Sequence, residues 1–161
     1  MGVENELGRF QQIGQLMIDL AFYRGLVTIE ETVLKKCTDD YKSYDEAIHF
    51  LSKVKGQILD GQGEIDSAGK GLAVWADGNK ANMARGAIGA VSGMFGSTAG
   101  SVDTIVQYAK KDMELLNEKY MKEHTTYMKH VEAHNKVVRQ IWSLHGSASI
   151  IHPSITKPSL A

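Results

Sequence analysis

Proline is missing from the first 152 residues of this 161-residue chain, Pro153 and Pro158 being the only two. The strongest helix breaker is therefore confined to the last ten positions. Cysteine is nearly missing as well: Cys37 alone excludes an internal disulfide framework and leans mildly towards a reducing compartment. Net charge is lacking, since 18 Lys and Arg stand against 19 Asp and Glu, so no global field draws the chain to nucleic acid or acidic lipid. MGVENELGRF has neither a basic start nor an apolar run, so no signal peptide is expected. Glu6 stands where a myristoylation pattern starting from Gly2 needs Ser or Thr. The expected location is cytoplasmic, or outside by a signal-independent route, with membrane association left open. Short alternating runs of Val, Ile and Thr are also lacking, which disfavours a sheet and points to an all-α chain.

What is present is helical periodicity. Leu7, Phe10, Ile13, Met17, Leu20 and Ala21 are spaced mostly three and four apart and predict a first helix over about 3–26. Thr28 with Glu31 has the form of a capping box, so a second helix is expected to start near 29. Cys37, Tyr44, Leu51, Ile58, Ile65 and Leu72 then recur every seventh residue, accompanied by Val33, Ala47, Val54, Ala68 and Trp75. That is the spacing of a coiled-coil seam, and it predicts a helix to about 76. Gly61 and Gly63 weaken this helix by about 1 kcal/mol each, yet the sevenfold register passes through them unshifted. A second seam follows: Val106, Met113, Tyr120, Tyr127, His134 and Ile141, with Val102, Ala109, Leu116, Val137 and Leu144 beside it, predicting a helix over 101–145.

Two seams of similar length imply a long antiparallel helical hairpin, within a single helical domain over 1–146. The shorter first helix is expected to pack on its base and a glycine-rich connection, 77–100, to form its tip. Gly146 is the expected C-terminal cap, and 147–161 reads as an extended tail. At 1.5 Å per residue the first helix, roughly 36 Å, covers about half of a hairpin nearly twice as tall. The distal half then needs cover from a second copy, a partner, a bilayer, or residues 80–100 folded back on it.

The segment RGAIGAVSGMFGSTAGSV, residues 85–102, carries the remaining signal. Gly89, Gly93, Ser97 and Ser101 recur every fourth residue, the small-xxx-small arrangement that lets helices approach closely in membranes, and Gly96 with Gly100 adds a second pair. The uncharged window from Gly86 to Val102 falls short of a span of about 20 apolar residues, so an interfacial or insertion-prone tip is the expectation, against a plain flexible connection. Trp75, Gly86, Gly89, Gly93, Met94, Phe95, Gly96 and Gly100 are the candidate membrane- or partner-contacting residues.

Catalytic patterns do not emerge. Glu46 and His49 lack a matching Glu-x-x-His unit, and GEIDSAGKG is one residue too long between Gly63 and Gly69 for a phosphate loop, with Gly71 where Ser or Thr is needed. His130 and His134, with Glu123 one heptad before His130, predict a polar layer in the seam that fixes register; no third histidine is in phase for a metal. No enzyme activity, cofactor, metal or nucleic-acid partner is expected. The expected function is a self-associating helical protein that engages or inserts into membranes through its glycine-rich tip. In outline this resembles the organisation of helical pore-forming toxins and translocators, although no motif is shared. The alternative is a soluble coiled-coil scaffold or adaptor that dimerises, or binds a helical partner, through the same uncovered seam.

Overall fold

The computed structural model describes residues 2–75 and 78–161, the side chains of residues 72–75, 79 and 81 excepted. The chain is all-helical, with two long helices packed together: α1 (Gly2–Trp75) and α2 (Asn79–Ser143). No strand occurs among the described residues.

Two expectations are corrected. There is no separate N-terminal helix packed on a base, because α1 runs without a break through residues 24–31. The Thr28 hydroxyl does not cap a new helix. It donates to the Arg24 carbonyl one turn back, at 2.9 Å, and Thr32 does the same to Thr28 at 3.1 Å. Thr is tolerated inside a helix in this way, and the inward apolar series Leu20, Val27, Leu34 continues across the supposed boundary. Nor is 77–100 a glycine-rich connection, since α2 begins at Asn79. Gly78, at φ 107°, adopts a backbone conformation that favours glycine, and its carbonyl accepts the Asn82 N–H at 3.1 Å. From there the seam of α2 extends backwards in phase: Val106, Ala99 and Ser92 are buried, and Val102, Phe95 and Ile88 are buried or half-buried. Seven-residue packing outweighs the low helix propensity of the glycines between these positions.

The described residues sort into two compact units. The first is Met1–Tyr41 with Leu115–Ala161. One of its clusters joins Val27, Leu34 and Cys37 of α1 to Tyr120, Tyr127 and Val131 of α2 and to Leu160 of the C-terminal segment. Another joins Leu20 to Val137, Val138 and Ile141. The second unit is Lys42–Glu114. Its core is Ile48, Val102 and Val106, with Leu51, Ile58, Ala109 and Met113 packed on it. Tyr44 bonds Asp112, Lys55 pairs with Asp103 and Gln62 bonds Ser92, so within this unit partners descend along α2 as they ascend along α1: the two segments run antiparallel.

α2 closes with a Schellman motif. Gly146 N–H bonds the Ile141 carbonyl at 2.9 Å and His145 N–H bonds that of Trp142 at 3.0 Å. The left-handed residue is His145, at φ 59°, and not the expected Gly146. Glycine is required one place later for space: a Cβ at 146 would lie 2.5 Å from Ile141 Cγ2.

Candidate interaction surfaces

Three groups of side chains stand out, and the first lies on α1 within the first unit. At 100° per residue the inward residues Ile13, Leu16, Leu20, Tyr23 and Val27 occupy one side of the helix. A second apolar series points away from it. Val3 is 81% exposed, Phe10 64% and Phe22 63%; Leu7, Met17, Ile18 and Ile29 are exposed as well. Gly14 and Gly25 lie in the same series, and a Cβ at either would meet nothing within 4 Å. The apolar stripe expected for 3–26 is thus two stripes: Ile13 and Leu20 pack inward, while Leu7, Phe10, Met17 and Ala21 face solvent.

The second group holds the C-terminal segment, which has no regular secondary structure and is fastened to α2 of the same unit. Most of its bonds run from α2 side chains to its backbone, so they fix register and little else. Trp142 Nε1 donates to the Ala148 carbonyl at 2.8 Å, Tyr120 donates to Lys157 at 2.6 Å, and Asn117 Oδ1 accepts the Leu160 N–H at 2.7 Å. His124 Nε2 lies 2.9 Å from the Ile155 carbonyl, which can only accept, so that nitrogen carries the hydrogen. Asn135 grips Ile151 twice: its amide donates to the carbonyl at 2.9 Å and its oxygen accepts the N–H at 2.8 Å. Leu160 is buried at the far end. Asn117, His124, Asn135 and Trp142 went unnoticed in the sequence. Their signal is a second stripe on α2, Tyr120, Tyr127, Val131 and Val138 among them, which the one-seam pattern absorbs only in part. Beside it lies an open depression of about 550 Å³ lined by His124, Lys129, Glu132, Asn135, Arg139 and Pro153 among others.

The third group is the set of polar side chains around His130 and His134 in this unit. His130 Nδ1 lies 2.5 Å from Glu30 Oε1. His134 is fully buried, and its Nδ1 is 3.0 Å from Asn135 Oδ1. Ile151 fixes the Asn135 amide orientation, so the oxygen faces His134 and Nδ1–H must donate. Among the described residues neither His134 Nε2 nor Glu30 Oε2 has a hydrogen-bond partner. Glu123 is half-buried. Tyr127 donates to Glu31 at 2.9 Å and accepts the Ser154 N–H at 3.2 Å. Burial first, and then the bond to Glu31, hold the Tyr127 phenol above its ordinary pKa, although Ser154 pulls it down. Burial likewise raises Tyr120 and the Cys37 thiol. No set of three or more His, Cys, Asp or Glu among the described residues is arranged to hold a metal ion.

The residues expected at a tip scatter. Gly86, Gly89, Gly93 and Gly100 face open space, and Met94 is exposed. Close approach occurs elsewhere in the second unit. Phe95 is half-buried against Gly61, Gly96 meets Gln62, and Gly69 meets Ile88. Ser92 is buried between Gln62 and Asp66, donating to Asp66 at 2.6 Å. Trp75 and Leu72 have side chains outside the described residues. Ile65 is half-buried, and cover for its turn comes from residues 85–100 folded back as helix.

Comparison with family models, with characterised proteins and with solved structures finds no match to this chain.

Proposed function

We propose that the chain is a non-catalytic helical scaffold, an antiparallel hairpin, that associates with another helical protein. The observation that carries this is the outward apolar face of α1 between Val3 and Ile29. An apolar series this exposed along one face of a helix marks an association site. Helix-in-groove and coiled-coil docking use i, i+3, i+4 anchors, which is the spacing of this face. At concentrations where the chain is monomeric by mass, an apolar dye such as anilinonaphthalene sulfonate is expected to bind, and Phe10→Asp with Phe22→Asp to abolish binding. Equal dye binding by both proteins would refute the assignment.

A second reading keeps the membrane at the glycine-rich part of α2. It has one observation in its favour: exposed Met83, Val91 and Met94 lie among the open glycines. No helix among the described residues is long and apolar enough to cross a bilayer, so contact would be peripheral. Dye leakage from vesicles that is lost on Met94→Asp would favour it, and no leakage would end it.

A further inference from the structure

The outward face of α1 has a spacing that names its occupant. Its members stand at 3, 7, 10, 14, 18, 22, 25 and 29, with intervals of 4, 3, 4, 4, 4, 3 and 4. The series reads the same in both directions about position 16. A second copy laid antiparallel on this face therefore places every member opposite another member. Val3 meets Ile29, Leu7 meets Gly25, Phe10 meets Phe22 and Gly14 meets Ile18. Bulk faces a gap in two of the four layers, and a Cβ at Gly14 or Gly25 would have nothing within 4 Å, so the backbones can close up there. We propose that α1 pairs through this face with the same face of a second copy, antiparallel and centred near position 16. The pairing rests on the reading of this face as a protein-binding surface.

Three further observations select this occupant. The exposed apolar side chains of the face offer on the order of 700 Å², close to the roughly 800 Å² that each partner contributes to a stable interface. Charge selects the orientation. A parallel pair would set Glu4, Glu6, Arg9, Asp19 and Arg24 each against itself. The antiparallel pair sets none of them against itself: Arg24 comes level with Gly8 of the second copy, between its Glu6 and its Arg9. Charge also disfavours lipid as the occupant. Residues 2–34 contain no lysine, and Arg9 and Arg24 are outnumbered by five carboxylates, whereas an interfacial helix lines its polar face with Lys and Arg. A two-fold pairing of one patch with itself closes at two chains.

Cysteine placement tests register and orientation together. In a Cys37→Ser background, Phe10→Cys and Phe22→Cys proteins are prepared separately, mixed, and oxidised. The mixture is expected to give the hetero-disulfide dimer at least tenfold more readily than either protein alone gives its own dimer. Efficient self-linking of Phe10→Cys alone would overturn the antiparallel register. The unmodified chain is expected to show a dimer mass, twice 17.7 kDa, at high concentration. Phe10→Asp with Phe22→Asp should give a monomer of unchanged helicity, since both positions face solvent. A monomer at every concentration would overturn the proposal. In that case dye binding at the face separates the two levels: its presence leaves the protein-binding surface standing, and its absence removes that as well.

Discussion

Single side chains decide how the C-terminal segment is held. Asn135 supplies both bonds to Ile151 and also sets the His134 tautomer, so Asn135→Ala leaves three polar groups to find new partners. A loss of about 1–3 kcal/mol is expected in urea unfolding, together with faster hydrogen exchange at the Ile151 amide. Unchanged exchange there would show that the clamp holds nothing. Next to it, His145→Gly relieves a left-handed residue and should stabilise by about 1 kcal/mol, whereas Gly146→Ala drives a methyl into Ile141 and should destabilise by about 1–3 kcal/mol. The raised pKa values of Cys37, Tyr120 and Tyr127 mean that the folded state binds these protons more tightly than the unfolded state. Their contribution is present below the unfolded values, about 8.5 for the thiol and 10 for the phenols, and is lost as pH climbs through the folded ones. Melting temperature should therefore fall between about pH 8 and 11, and Cys37→Ser should remove the earliest part of that fall. A flat profile would contradict the burial.

At the scale of elements, glycines in the two helices divide by what faces them. Gly89→Ala and Gly93→Ala point into open space and should raise stability by about 1 kcal/mol each through helix propensity. Gly61→Ala would put a Cβ 2.9 Å from the Phe95 ring, and the crowding should outweigh the same gain. Thermal melts of the three variants check the contrast; equal shifts would mean that the helices do not meet at Gly61. The seam of α2 was legible because its occupants are apolar: Val106, Tyr120, Tyr127 and Ile141 are all buried. The companion register of α1 was read one residue early. Ala47 and Ala68 face solvent, and the positions one later that pack are Ile48 and Gly69, with Lys55 and Gln62 between them. Polar occupants with hydrogen-bonded or ion-paired heads hide such a register from a hydrophobicity pattern. The supposed boundary at Thr28 failed for a related reason: a capping signature and an interior Thr bonding backwards share the same letters.

For the whole molecule, the all-helical class followed from the confinement of proline to the end; within the second unit the antiparallel order of partners matches the two seams. The docking of the C-terminal segment was not legible, since bonds from side chains to backbone leave no periodicity. The association face was hidden because two stripes on opposite sides of α1 interleave into one series of apolar residues. Once they are separated, an exposed apolar face stands out within the first 29 residues, while Ile65 of the second unit is half-buried beside residues 85–100. Sedimentation of the unmodified chain and of Phe10→Asp with Phe22→Asp, over two decades of concentration, tests this most directly. The expected result is a reversible dimer for the former and a well-folded monomer for the latter. A dimer that survives both substitutions, or one monomeric mass throughout, would contradict it.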